Sequence, residues 1–295
     1  MWWPMSGAGT GEMDPIGRRA AYFVTGPDCA QRYPFDFPAP YSEALAALSA
    51  IGYGGIELQL RQPSALDATA VSADLARRRL ELVAVSTAPL VREEGLALSA
   101  ADPDVRRTAA ARVVEQLEFL AHVAPSAVLV IGRLRGAPVP GDAQGQWERL
   151  VEALAPVAAA SASLDVTVAL EPQRAGAGGV LHTLAEVVDV VAAVGPDPAE
   201  PVLQVMLDTF HLAAEQEPPD AVIQAAGDLL RHIHLAGPDR EPVVVDDRMV
   251  VQTLDALDAV GYDGWTSMEH RQDPDGATAA AASLRAVASL SEPTR

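Results

Sequence analysis

A chain of 295 residues with 49% hydrophobic side chains can build a sizeable core, yet no apolar run reaches the roughly 18 residues a transmembrane helix needs. A net charge of −19 repels a phosphate backbone and no basic run offsets it, so nucleic acid is excluded as a partner and a small-molecule substrate is expected. Cys29 is the only cysteine and no histidine is near it in sequence, so no intrachain disulfide is possible; a reducing, cytoplasmic setting fits.

The first 18 residues, with Trp2 and Trp3, lack the basic and long apolar stretches of a signal peptide and are expected to form a flexible leader. From residue 19 to about 290 one repeating unit is expected. The runs "AAYFVT" (20–25), "GIELQL" (55–60), "LVAVS" (82–86), "AVLVIG" (127–132), "VTVALE" (166–171), "LQVMLD" (203–208), "HIHLA" (232–236) and "WTSME" (265–269) predict eight strands. They are almost continuously apolar, as parallel strands covered on both faces are. Helical patterns alternate with them over 42–52, 72–80, 102–124, 145–164, 183–195, 219–230, 249–261 and 277–290. Thr183 and Glu186 have capping-box spacing, and Pro219 suits a first turn. Gly52, Gly195 and Gly261 are expected as left-handed helix caps. "GYGG" (52–55) and "GYDG" (261–264) each lead into a strand, as one repeated unit would. The pattern predicts a single (β/α)8 TIM barrel. The alternative, an open doubly wound sheet, usually carries a glycine fingerprint after strand one; "GPDCAQRYPFDF" has none.

In such barrels the site forms where the strands end. Strand five ends in Glu171, strand six in Asp208 with His211 just beyond, strand seven carries His234, and strand eight ends in Glu269. Any one of these acids alone reads as a cap or a solvated loop residue. At four successive strand ends they form a joint pattern. Three crowded carboxylates do not all stay ionised without a cation, so Glu171, Asp208, His234 and Glu269 are expected to bind one divalent metal ion. With no thiolate in the set, manganese is the first expectation, with cobalt, magnesium or zinc also compatible.

Other candidates are weighed beside these. Glu57 reads first as a buried structural acid and second as a residue behind the site. Arg133 and Arg135 follow strand four and could bind an anionic substrate or solvate a loop. His232 reads as a satisfied core histidine. His182 could reach the site. "AGAGG" (175–179) reads as a reshaped loop rather than a phosphate cradle, and His122 and His270 as solvated or helix-packing residues.

The segments "VALEPQ", "VMLDTFHLAAE", "HIHLAGPDR" and "GYDGWTSMEH" resemble the xylose isomerase-like TIM barrels of sugar isomerases and epimerases, a family that includes D-tagatose 3-epimerase and hydroxypyruvate isomerase. The resemblance runs from the first strand to about residue 270 and is strongest after residue 165. It implies that Glu171, Asp208, His234 and Glu269 are the metal ligands and that Glu171 and Glu269 are also the catalytic acid/base pair. It further implies that His211 and Arg240 bind substrate. Barrels of this kind often pair, so a homodimer is expected by analogy.

Two departures stand out. The family's Asn-Arg-x-Glu run after the fifth strand is "QRAGAGG" here, so Ala177 stands where a substrate-binding Glu is expected; and the loop after Arg240 reads "EPVVVDDR" instead of carrying a Pro-Gly-x-Gly turn. The expected function is therefore a metal-dependent isomerase or epimerase of a keto sugar or related polyol, with altered specificity. A lyase on the same scaffold, acting on a keto-cyclitol or keto-glycoside, is the alternative. A non-catalytic barrel that keeps its metal site is a further one. The related abasic-site endonuclease needs more histidines than the six present and fits poorly with the charge.

Overall fold

A computed structural model describes residues 19–177, 179–195 and 202–291. Eight parallel strands close into a barrel in sequence order: β1 (Arg19–Thr25), β2 (Gly55–Gln59), β3 (Glu81–Ser86), β4 (Val128–Ile131), β5 (Thr167–Leu170), β6 (Leu203–Asp208), β7 (Leu230–Leu235) and β8 (Trp265–Met268). Parallel neighbours need a crossover, and helices supply it: α1 (Tyr41–Ile51), α2 (Ala68–Arg78), α3 (Ala88–Glu94), α4 (Pro103–Val123), α5 (Ala143–Leu164), α6 (Leu184–Val194), α7 (Thr209–Glu215), α8 (Pro219–Ala226), α9 (Arg248–Ala259) and α10 (Gly276–Ser291). The predicted (β/α)8 barrel is thus the observed architecture, while the expected leader lies outside the described residues. Among the described residues no helix is long and apolar enough to cross a membrane.

All eight predicted helices have a counterpart. The sequence reading did not anticipate α3 and α7, each only 7 residues long and each placed directly after a strand. Both are too short to show an amphipathic period. The capping box at Thr183 and Glu186 forms, and Pro219 opens α8. Gly52 and Gly261 take left-handed φ values of 110° and 69°. Gly195 does not: its φ of −78° and ψ of 141° are extended, so a left-handed cap is corrected there.

Two apolar layers hold the barrel. The larger lies between the strands and the surrounding helices and includes Tyr22, Ile56, Leu129, Val168, Leu207 and Ile233. The smaller packs Ala21, Val83, Ala84, Val128, Val130, Ala169 and Met206 with Trp265 inside the barrel. Side chains alternate faces along a strand. Two residues beyond Ala169, Met206 and Trp265, the same inner face therefore carries Glu171, Asp208 and Ser267. The inner face is apolar below and polar above.

Candidate metal centre and active site

Register sets the first contacts. Asp208 on β6 pairs with His234 on β7, and His234 pairs with Ser267 on β8. Glu171 and Glu269 each lie one residue past their strands, and their N–H groups extend the ladder to the Ile131 and Leu235 carbonyls (3.1 and 3.0 Å). Ligand atoms of Glu171, Asp208, His234 and Glu269 all lie within 4.8 Å of one another, and all four residues are buried. The four residues that the sequence singled out as ligands thus do converge.

Asp208 serves two elements. Its Oδ1 accepts the Phe210 N–H at 2.8 Å and caps α7, as an N-terminal Asp does. Its Oδ2 is buried and accepts no well-directed hydrogen bond, although the Arg240 guanidinium approaches to 2.7 Å. Arg240 offsets one negative charge, but Glu171, Asp208 and Glu269 crowd three carboxylates into one buried cluster, an excess that a further cation would neutralise. Three carboxylates and one imidazole nitrogen within 4.8 Å form a donor set suited to a hard divalent ion, so these residues fit a metal.

His234 is oriented from below. Its Nε2 lies 3.1 Å from Glu57 Oε2, and its Nδ1 lies 3.1 Å from Glu269 Oε2. Glu57 is fully buried, also accepts the Ser86 hydroxyl and contacts His232 Nε2 at 2.9 Å. Glu57 is therefore not merely a structural acid: it supports an imidazole whose other nitrogen faces the carboxylate cluster. His232 is buried in the core as expected, with Nε2 also 2.9 Å from the Ser267 hydroxyl, but it is not fully satisfied: its buried Nδ1 has no hydrogen-bond partner among the described residues.

His211 stands in α7, with Nε2 3.6 Å from Glu171 and 3.9 Å from Asp208. Its Nδ1 accepts the Arg174 N–H at 3.3 Å, so Nε2 carries the proton and points at the cluster. Burial lowers its pKa to about 3, which keeps it neutral. Arg240 donates to the Glu269 carboxylate (2.7 Å) and to the Glu269 carbonyl (3.0 Å), and its guanidinium lies over the Phe210 ring. Its backbone is left-handed (φ 62°), as is that of Asp239 (φ 53°). Such backbone costs on the order of 1 kcal/mol per residue. The loop holds it with the Arg271 N–H on the Arg240 carbonyl (2.6 Å) and the Gly237 N–H on the Glu241 carbonyl (2.9 Å).

The two outer carboxylates are driven apart electrostatically. Burial raises the pKa of Glu171, and the charges of Asp208 and Glu269 add to it. Burial also pushes Glu269 upward, but Arg240 and His234 outweigh it and hold Glu269 below the usual range. The two carboxyls beside one cavity therefore differ in proton affinity. Gly132 makes room for one of them: a Cβ there would stand 2.2 Å from Glu171 Oε2 and 2.7 Å from Gln173 Nε2. Neither Gly132 nor Gln173, which donates to Glu171, was expected to shape the site.

Above the cluster opens a cavity of about 490 Å³ lined by Glu171, Glu269, His211 and Arg240, and by Phe23, Phe35 and Phe210. Ala177 lines it too. Several weaker candidates fall elsewhere. Arg135 is buried beneath the site, donating to the Val180, Gly132 and Glu171 carbonyls, and is corrected from possible anion binder to structural residue. His182 faces the Gln173 carbonyl (3.0 Å) and is not among the cavity-lining residues. His270 is buried against Ser283 of α10 and His122 is exposed. Cys29 is half-buried, and burial with neighbouring acids raises its thiol pKa, so it makes a poor nucleophile.

A family model described as xylose isomerase-like TIM barrel matches residues 45–290. The D-psicose 3-epimerase of Ruminiclostridium cellulolyticum is 31% identical over 177 residues, 58% of this chain and 58% of that one. The chain thus spans less than two thirds of that relative's length. A probable ketose 3-epimerase of Synechocystis is 26% identical and covers 74% of each chain. A solved D-psicose 3-epimerase from Clostridium cellulolyticum superposes with a TM-score of 0.71 at 22% identity, covering 92% of this chain and 96% of that one. That likeness supports the barrel fold.

Proposed function

We propose that this chain, which belongs to the xylose isomerase-like TIM barrel family, is a divalent-metal-dependent epimerase of a keto sugar. The convergence of Glu171, Asp208, His234 and Glu269 within 4.8 Å at the floor of a polar cavity carries the reading. A divalent ion held by these four would act as a Lewis acid on the substrate's carbonyl.

The chain's own groups do the proton work. One of Glu171 and Glu269 takes the proton from the carbon next to the carbonyl, and the resulting enediolate is reprotonated on the opposite face by the other. Exchange with water resets the pair. His211, neutral with its proton on Nε2, donates to a substrate oxygen beside the ligand cluster. Arg240 holds Glu269 and offers its guanidinium to the cavity. Phe23, Phe35 and Phe210 shield the reacting carbon from water.

Mass-spectrometric metal analysis is the direct test. Wild type is expected to carry about one equivalent of a divalent metal, and Asp208→Ala and Glu269→Ala to lose it. Glu171→Gln is expected to slow inversion of a ketose, followed by NMR in deuterated water, by about 10²–10⁴-fold. Equal metal in wild type, Asp208→Ala and Glu269→Ala would sink the proposal. A lyase is the second reading, favoured by Ala177, a small residue in the cavity wall where the family resemblance implies Glu. Product mass separates the two: an epimer keeps the substrate's mass, whereas elimination loses water or an aglycone.

A further inference from the structure

The cavity carries carboxylates at its floor and cations at its mouth. Arg92 at the end of α3, Arg133 after β4 and Arg174 after β5 all line it. Every one of the chain's 21 basic residues is arginine. On the outer surface several of these are tied to acids, as in Arg78 with Asp74, Arg107 with Asp104, Arg112 with Glu94 and Arg149 with Asp142. The three at the mouth form no ion pair with a carboxylate among the described residues. In a protein of net charge −19, three guanidinium groups without acids around one opening are a local reversal of sign.

Two of the three are held in place by other means. Arg92 lies 4.6 Å from the centre of the Tyr33 ring and donates to the Arg32 carbonyl at 2.9 Å. Arg174 lies 5.4 Å from the centre of Phe210, whose ring is also approached by Arg240 at 4.5 Å. The aromatic faces near the mouth are therefore occupied by cations rather than left open as stacking platforms for a sugar. The main chain of Arg174 is anchored by its N–H on His211. Arg133 is exposed. The inner carboxylates are served by Arg240 and by the divalent ion they are suited to hold, so they do not neutralise the rim. Guanidinium groups held in this way match the planar, bidentate geometry of phosphate and carboxylate oxygens.

From this sign reversal we infer that the substrate carries an anionic group, phosphate or carboxylate, at the end remote from its carbonyl, and that Arg92, Arg133 and Arg174 receive it. The inference rests on the epimerase reading and names its substrate class: an acidic ketose rather than a free one. The remote charge would fix which end of the ketose enters first and so hold the reacting carbon between Glu171 and Glu269.

Calorimetric titration of the Mn²⁺-loaded protein with D-fructose, D-fructose 6-phosphate and D-fructuronate tests this, with NMR of the same mixtures for inversion. At least one acidic ketose is expected to bind 10-fold or more tightly than D-fructose. That preference should weaken with added salt and shrink to within about threefold in an Arg133→Gln, Arg174→Gln double variant. Which acidic ketose wins distinguishes phosphate from carboxylate. If neither binds more tightly than D-fructose, or the preference survives in the double variant, the inference is overturned. A preference for the acidic ketose without inversion of any sugar would uphold the anion subsite and remove the epimerase reading instead.

Discussion

At the scale of single residues, Glu57 has the clearest consequence outside the ligand set. Its carboxylate accepts from the Nε2 side of His234, so with an ion bound the neutral imidazole would keep its proton on Nε2 and offer the Nδ1 lone pair, 3.1 Å from Glu269, to the cluster. Glu57→Gln keeps the shape but presents an amide N–H₂ where an acceptor stood. The imidazole proton then shifts toward Nδ1 and blocks that lone pair. Metal affinity by calorimetry is expected to fall about 10–100-fold, with the fold intact by circular dichroism. Unchanged affinity would mean that Glu57 only fills the barrel. Periodicity alone left Glu57 ambiguous because a buried acid looks the same in sequence whether or not an imidazole lies above it.

At the scale of elements, the ends of β6 and β7 are fastened by Thr209. Its hydroxyl donates to the Ala236 carbonyl and accepts the Ala236 N–H, both at 2.9 Å. This bracket holds together the two strand ends that present Asp208 and His234. Thr209→Val has the same volume but leaves a buried N–H and carbonyl unpaired. It is expected to cost about 1–3 kcal/mol in urea unfolding, and to weaken metal binding as Asp208 and His234 drift apart. Thr209 and His211 lie in α7, which the sequence reading passed over. The motif "DTFH" was legible as chemistry, while the helix turn that aims it was not, since its signal is one capping carboxylate.

At the scale of the whole molecule, the acidic balance has a site-specific counterpart in Asp36. This carboxyl is buried in the later part of the loop from β1 into α1 and bonded to Thr25, Tyr33 and Gln59. Burial raises its pKa from 3.8 to about 7. Its folded-state pKa lies above the unfolded one, so between about pH 4 and 7 the folded chain binds more protons and Asp36 lowers stability as pH rises through that window. Asp36→Asn removes the charge. Thermal melts in chelator are expected to show the variant gaining on wild type from pH 4 to 7 and level above. A pH-independent difference would place the titration elsewhere.

The sequence by itself determined the architecture, because alternating apolar runs and helical periods are local patterns and eight of each in this length close into one barrel. It also determined which residue types stand at the strand ends, since the C-terminal end of a strand is readable wherever an apolar run stops. Tertiary structure alone decided the rest. The register between β6, β7 and β8 set Asp208 opposite His234 and put Glu57, 175 residues before His232 in the chain, under both histidines. Close packing required Gly132 to have no side chain beside Glu171. The fold also buried Arg135 while leaving Arg133, two residues earlier, at the mouth of the cavity. Each of these depends on distances between chain segments far apart in sequence, which no local pattern encodes.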